Sequence, residues 1–430
     1  MAFALAAAVL SPVEWFSSHL PEAAADPASE CRAGNAAGAK ILSTVEPEVM
    51  KYLGVHDGFT PKEKSSGISI AIVTPTPGIP VKPDIAIVNC GVTTLGGGDQ
   101  ITSTTPFEIG SETKLFTATA LAQLARRRTV SLDDKLQQYL PSGITAPTKK
   151  CSGTASADIT LGELAEHNAG LIDDPKNVTW GKDHPQGHAN YTRDDLWNSF
   201  TQGLAQPCDA LEHTPGTAWS YSNWGFALLG TVLADKYTRT TTGTPNYPKL
   251  IKDLVTGPLG MSQTVIGGTS PAAGMALPSC PKDFGPPCLW ANNNAFAGAG
   301  GVLSNINDMA KFVSASLGFQ RNISIWPALL QTQQGVAIGQ DCPKCQGLAW
   351  QITPPTNPHA LSPLTVLDKD GGTWGSHSHT FIIPKACWGI TLLSNSDQPF
   401  TVGPDGIGGA LIKALAPRTT ANCAAGIGKR

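Results

Sequence analysis

Ser111 and Lys114 stand three residues apart in Phe107-Glu-Ile-Gly-Ser-Glu-Thr-Lys114-Leu-Phe-Thr-Ala, at the expected start of a helix. At that spacing both side chains share one helix face, so the Lys amine can reach the Ser hydroxyl, and the helix N-terminus favours developing negative charge. The pair reads as a hydroxyl nucleophile with its proton acceptor. Taken alone it is weak: Ser-x-x-Lys tetrapeptides arise by chance, and the plain alternative is a Ser-capped helix with a solvated Lys.

Two further segments add chemistry. In Pro215-Gly-Thr-Ala-Trp-Ser-Tyr221-Ser-Asn223, a phenol beside a Ser–Lys pair can relay a proton, and an amide two residues on can orient a carbonyl and pin the Lys. The plain alternative is a buried Tyr held by local hydrogen bonds, with Asn223 as a helix cap. In Asp368-Lys369-Asp-Gly371-Gly372-Thr373-Trp374-Gly-Ser-His377-Ser-His379, glycine lets a strand backbone approach a substrate, and its N–H groups can complete an oxyanion hole with that of Ser111. Lys369 can receive a substrate carboxylate. Thr373, Trp374 and His377 are expected beside the substrate, Trp374 as a pocket wall. His377 and His379 would share a strand face and could bind zinc in principle, but no third ligand accompanies them, so both are assigned to pocket lining or polar core.

The order and spacing of these segments, Ser-x-x-Lys, then about 110 residues later Tyr-x-Asn, then about 150 later Lys-x-Gly, resemble the three-motif pattern of class C β-lactamases. Their relatives, DD-peptidases, D-aminopeptidases and family VIII carboxylesterases, share it. The flanking residues agree: Phe107-x-x-Gly-Ser, Pro215-Gly-Thr, Ala299-Gly-Gly-x-x-Ser304-x-x-x-Asp308-Met-Ala and a strand ending at Pro384. The resemblance covers roughly residues 65 to 415. It implies that Ser111 attacks a carbonyl, that Lys114 and Tyr221 share its proton, and that Asn223 holds the substrate and the Lys side chain. It places the oxyanion hole at the N–H groups of Ser111 and Gly372, gives Lys369 to a substrate carboxylate or to the support of Tyr221, and requires neither metal nor organic cofactor. Two positions depart from the family pattern. Asp370 stands where Thr is usual, and a carboxylate there weakens the pull of Lys369 on an anionic substrate. His167-Asn-Ala-Gly170-Leu171 replaces His-Thr-Ser-Gly-Leu, and His167 is taken as structural.

The elements that must position these residues fall into three blocks. Gly67–Thr74 and Asp84–Cys90 are β-branched apolar runs joined by a Pro/Gly-rich connector, Pro75 to Pro83, and read as a hairpin. Helical patterns follow at Leu115–Arg126 and Gly225–Ala234, with a capping box at Thr160-Leu-Gly-Glu163 and a Ser-capped start at Ser304. Strands return at Gly347–Thr353, His379–Ile383 and Trp388–Leu393, with a turn at Pro384-Lys385, and a helix from about Gly406 to Leu415 closes the chain. The expected fold is α/β (α+β) and β-lactamase/transpeptidase-like, an antiparallel sheet built from both termini, flanked by helices, with a mostly helical domain inserted. The expected boundaries are an N-terminal extension with a signal remnant over 1–39, a sheet domain over 40–105 and 320–430, and a helical domain over 106–319, with the active site at their interface. The long loops near 173–190 and 267–296 are expected to bear on substrate choice.

Composition narrows the function classes. The chain has 430 residues, 41% apolar and only 15% charged, with a formal net charge of −3, so it can bury a large core and shows no footprint for nucleic acid or an anionic membrane surface. Its ten cysteines favour disulfides in an oxidising compartment, hence a secreted or periplasmic protein. Cys280 with Cys288 and Cys342 with Cys345 can each close a short loop. The Cys342-Pro-Lys-Cys345 pair could also be half a zinc or redox site, but no second such pair supports it. Phe3 to Leu10 and Ala23-Ala24-Ala25 resemble parts of a signal peptide without its basic start, and no later stretch is long enough to span a membrane. The expected partner is a small molecule or peptide with a scissile carbonyl: a β-lactam or related amide first, then a carboxylester, then a D-amino-acid peptide. A catalytically silent binding protein is the alternative from another class. Oligomeric state and disulfide pairing are not legible.

Overall fold

Alternation along Gly67-Ile-Ser-Ile-Ala-Ile-Val sends Ile68, Ile70 and Ile72 to one side of a sheet and Ala71 and Val73 to the other, and both sides are buried. This segment sits at the middle of the sheet in the computed structural model, which describes residues 31–53, 67–94, 97–179, 188, 190–242, 246–268, 270–280, 288–290, 294–338, 342–396, 400 and 406–419.

The strands in chain order are β1 Cys31–Ala33, β2 Gly67–Thr76, β3 Ile79–Thr94, β4 Gly97–Gln100, β5 Phe107–Glu108, β6 Val265–Ile266, β7 Val302–Ser304, β8 Val336–Ile338, β9 Cys342–Gln346, β10 Gln351–Thr353, β11 Val366–Gly372, β12 His377–Ile383 and β13 Trp388–Ser394. The helices are α1 Ala36–Leu53, α2 Thr113–Arg126, α3 Leu161–Ala165, α4 Arg193–Asn198, α5 Asn223–Thr242, α6 Tyr247–Ile251, α7 Ala297–Gly300, α8 Ile306–Ser316, α9 Trp326–Thr332 and α10 Ile407–Leu415. The main sheet runs β1-β3-β2-β13-β12-β11-β10-β9-β8, with β4 on β3, and its described pairs are antiparallel. The central pairing of β2 with β13 joins the first part of the chain to the last, as the sequence implies. A second small sheet runs β5-β7-β6.

Helices α1 and α10 cover one face of the main sheet through Val45, Val49, Leu53, Leu411 and Ile412. The other face packs on α8 and on the helical block whose axis is α2. Every residue of α2 from Thr113 to Leu124 is buried. Its Ala and Thr side chains allow neighbours to close in, and Thr119 disposes of its hydroxyl on the Leu115 carbonyl at 2.7 Å.

Several elements differ from expectation in extent. The hairpin strands run on into the Pro-rich connector, with Pro75 opposite Pro83 and an irregularity at Pro75/Thr76. The register of β2 with β13 stops at Val73, so these prolines lie where β2 overhangs its other partner and a missing N–H interrupts no ladder there. Ser304 ends β7 instead of capping α8: Asn305 accepts the Asp308 N–H at 3.0 Å, and Ser304 Oγ pairs with Thr264 Oγ1 at 2.8 Å. The expected strand Gly347–Thr353 is split, because Ala349 adopts a left-handed conformation (φ 65°) that a strand cannot contain, and only Gln351–Thr353 pairs with β11. Within the expected 1–39 extension, Cys31–Ala33 is a sheet strand paired with β3.

Disulfides join Cys31 to Cys90, Cys151 to Cys208 and Cys280 to Cys288, and Cys345 and Cys387 are also disulfide-bonded. Among the described residues no helix is long and apolar enough to cross a membrane. The signal-like residues Phe3–Leu10 and Ala23–Ala25, and parts of both long loops, lie outside the described residues.

Candidate active site

The Ser111 turn is held by contact between two backbones. Gly110 has φ 48°, and a Cβ there would stand 2.6 Å from the Gly372 carbonyl oxygen and 2.7 Å from its nitrogen. A Cβ on Gly371 would stand 2.0 Å from the Ile109 carbonyl oxygen. Only glycine permits this approach, which brings the end of β11 against the start of α2. From β12, Ser378 Oγ donates to the Ile109 carbonyl at 2.8 Å and Thr380 Oγ1 to Glu112 Oε2 at 3.1 Å. Glu112 is wholly buried, and burial raises its carboxyl well above the usual range. Sequence reading passed over this residue, since a Glu inside Ser-x-x-Lys carries no pattern that marks it as buried.

Three segments converge on the Lys114 amine. Its Nζ lies 2.9 Å from Ser111 Oγ, 2.7 Å from Asn223 Oδ1 on α5 and 2.8 Å from the Ala299 carbonyl on α7. The Tyr221 hydroxyl lies 2.6 Å from Ser111 Oγ and 3.2 Å from Asn223 Oδ1. Asn223 is free for this because Ser222 caps α5 in its place, accepting the Gly225 N–H at 2.9 Å, while the Asn223 N–H donates to Asp173 Oδ1 at 3.1 Å. Helix α7 reaches Lys114 because Gly230 of α5 and Gly298 meet without side chains: a Cβ on either would stand 2.9 Å from the other's Cα. Burial lowers the Lys114 amine well below its ordinary value, reinforced by the nearby Lys369 charge. Burial pushes Tyr221 up to about 12, with Lys369 and the Ser111 hydrogen bond pulling the other way.

Lys369 is placed by β11 under the Tyr221 ring, its Nζ 5.6 Å from the ring centroid. The amine is committed within the chain, donating to Asp370 Oδ1 at 2.8 Å and to the Asp370 carbonyl at 2.7 Å. Burial opposes the Lys369 charge, but the Asp370 carboxylate, together with Tyr221 and Asp368, outweighs it and holds the amine above its ordinary value. Asp370 is held below the usual carboxylate range: burial alone would raise it, and Lys369 and His379 more than offset this.

A cleft of about 320 Å³ opens beside this pair, lined by His167, Trp219, Tyr221, Gln346, Ala349, Gln351, Lys369 and Asp370. His167, taken as structural from the sequence, supports the Tyr221 segment and also lines the cleft. Its ring packs on Tyr221 with centroids 4.5 Å apart, Nδ1 accepts the Ser222 N–H at 3.1 Å, and Nε2 is buried with no partner among the described residues. Burial and the Lys114 and Lys369 charges keep it neutral, lowering it well below its ordinary value. His167 and Ala349 are both non-glycine residues at positive φ, 54° and 65°, so two strained positions meet at one cleft.

Thr373, Trp374 and His377 are not among the cleft-lining residues. Thr373 and Trp374 belong to the turn between β11 and β12, where the Thr373 N–H donates to the Ser376 carbonyl at 2.9 Å, and His377 is the first residue of β12, paired with Gly372. His377 Nδ1 is 2.9 Å from the Ser396 carbonyl, and a Cβ on Gly372 would meet its ring at 3.3 Å. His379 is buried with Nε2 at 3.0 Å from Asp368 Oδ2 and its ring stacked on Phe381. The two imidazoles thus serve separate acceptors.

A hydroxyl within reach of both a depressed amine and a phenol is equipped for nucleophilic acyl transfer with proton relay. The same architecture is found in known proteins. The family model described as Beta-lactamase matches residues 66–412. A curated beta-lactamase of Yersinia enterocolitica is 25% identical over 342 residues, 72% of this chain and 79% of that one. One of Pseudomonas fluorescens is 24% identical over 392 residues, 84% and 93% of the two chains. Among solved structures, a class C beta-lactamase superposes with a TM-score of 0.67 at 19% identity, covering 88% of this chain and 98% of that one. A beta-lactamase/D-alanine carboxypeptidase of Yersinia pestis, complexed with citrate, gives 0.65 at 22% identity, with 88% and 99% covered.

Proposed function

The chain belongs to the beta-lactamase family and is a hydrolase of the serine beta-lactamase type, and on that premise we propose that it works through an acyl-enzyme on Ser111, with Lys114 and Tyr221 moving the proton. The observation that carries this reading is the set of acceptors around Lys114. A neutral amine has two N–H groups and one lone pair. Asn223 Oδ1 and the Ala299 carbonyl engage the two N–H groups, which turns the lone pair to Ser111 Oγ at 2.9 Å. Burial favours the neutral amine, which is the basic form, while Tyr221 keeps its proton and can pass it on.

In the forward step Ser111 Oγ bonds to the substrate carbonyl carbon as its proton moves to Lys114. The oxyanion that forms is received by the N–H groups of Ser111 and Gly372. The Tyr221 hydroxyl then protonates the departing nitrogen or oxygen and is refilled from Lys114, and the carbonyl–heteroatom bond breaks. Water repeats the sequence in reverse to release the acid and restore the Ser111 hydroxyl.

An amide in a β-lactam or a related substrate is the first reading of the leaving group, in keeping with the family. A carboxylester is the second, favoured by one observation: the Lys369 amine that would hold a substrate carboxylate is already bonded to Asp370. The disulfides support an oxidising compartment, secreted or periplasmic. Intact-mass analysis after exposure to a fluorophosphonate, with S111A as control, tests the nucleophile: one adduct lost in S111A is expected, and an adduct elsewhere would overturn the assignment. Turnover of nitrocefin against p-nitrophenyl butyrate then separates amide from ester.

A further inference from the structure

Resting on the Ser111 reading, the cleft beside Tyr221 also carries information about what enters it. Its lining holds one acidic and one basic side chain, Asp370 and Lys369, and these are bonded to each other. The pair is oriented. The Lys369 side chain is 4% exposed and the Asp370 side chain 52% exposed, so the positive end is sealed under the Tyr221 ring and the negative end faces solvent. Behind them lies a second acid, Asp368, with His379 at 3.0 Å. The remaining lining, His167, Trp219, Gln346, Ala349 and Gln351, brings no further formal charge, His167 being held neutral by its burial. Trp219 Nε1 is turned to Gln346 Oε1 at 3.2 Å.

We infer that Asp370 sorts substrates by charge: the group received beside Lys369 is neutral or cationic, and a carboxylate is rejected there. For Lys369 to bind a substrate carboxylate, the incoming anion would have to share an ammonium that already serves Asp370 Oδ1 at 2.8 Å, and it would then sit against that carboxylate. That is discrimination by repulsion as much as by attraction. A cationic substituent meets the exposed carboxylate directly. A neutral acyl chain meets Trp219, Ala349 and the two amides.

The test uses three p-nitrophenyl esters that differ only at the end of the acyl chain: the neutral butyrate, the anionic hemisuccinate and the cationic 4-(trimethylammonio)butyrate. The wild-type protein is expected to give kcat/KM for the neutral and cationic esters about tenfold or more above that for the anionic one at low salt, with the gap narrowing as salt is added. In D370N the amide keeps the shape and removes the charge, leaving the Lys369 ammonium without its carboxylate counter-charge, and the anionic-to-neutral ratio is expected to rise about tenfold. Nitrocefin and its methyl ester give the same comparison on a β-lactam, the ester being preferred by the wild type. A binding arm needs no Ser111 chemistry: calorimetry of the three matching anilides with S111A is expected to show the same order of affinity. Equal binding of the three anilides, or an anionic-to-neutral ratio unmoved in D370N, overturns the inference. Ordered anilide binding without ester turnover would instead remove the Ser111 reading and leave the charge selection standing.

Discussion

The Tyr221 hydroxyl stands 2.6 Å from Ser111 Oγ although 110 residues separate them, and the Tyr221 ring rests on His167. Y221F keeps that ring contact and deletes the proton path. A fall in kcat of about 100-fold or more is expected with KM changed only a few-fold, and a stability change of about 1 kcal/mol. Steady-state kinetics and urea unfolding separate the two effects, and an unaltered kcat would assign the relay to another group.

Asn223 Oδ1 touches both Lys114 and Tyr221, so a charge placed there reads out the amine. Burial lowers Lys114, and an amine is a base only above its own pKa, so activity should fall as pH falls through that value. N223D sets a carboxylate 2.7 Å from Nζ, stabilises the ammonium and moves the acid limb of the kcat/KM profile to higher pH. The profile of p-nitrophenyl butyrate hydrolysis checks the direction. Tyr221, pushed up to about 12, stays protonated across the same range.

Glu112 should be a pH-dependent liability to the fold. Its folded-state pKa is raised by burial, so above the ordinary carboxyl value the unfolded chain loses a proton that the folded chain keeps, and stability declines as pH rises. E112Q removes the ionisation while leaving an oxygen to accept from Thr380. It is expected to exceed the wild type in stability by ~1 kcal/mol or more near pH 8 and to converge with it near pH 4. Denaturant melts at the two pH values decide, and a difference that does not shrink in acid would refute the account.

Gly371 permits β11 to touch the Ser111 turn, and G371A would drive a Cβ to 2.0 Å from the Ile109 carbonyl oxygen. Separation of the two backbones should destabilise by about 2–4 kcal/mol and remove most activity in the fraction that still folds. Thermal unfolding with active-site titration measures both. Full labelling of G371A by a fluorophosphonate would show that the contact is dispensable.

Local patterns carried the reading of this chain as far as local physics reaches. The capping box at Thr160 and Glu163 forms as its spacing implies, because both partners lie within one turn. Ser304 misled, since Ser, Thr and Asn cap interchangeably and only tertiary contacts assign the duty: Thr264 claims Ser304, and Asn305 caps α8 in its place. The cluster of Ser111, Lys114, Tyr221 and Asn223 was legible through motif spacing, yet the third partner of Lys114 was not, because the Ala299 carbonyl is backbone and any residue would supply it. Adjacency suggested that Asp370 would blunt Lys369. Which of the two faces solvent needed the fold.

Lys114 acquires its socket only when α2, α5 and α7 have come together, across separations of 109 and 185 residues. Before that moment the chain presents an ordinary hydroxyl and a hydrated ammonium, neither of which attacks a carbonyl. The depressed amine and its place beside Ser111 are therefore properties of the packed fold, which the extended chain does not possess.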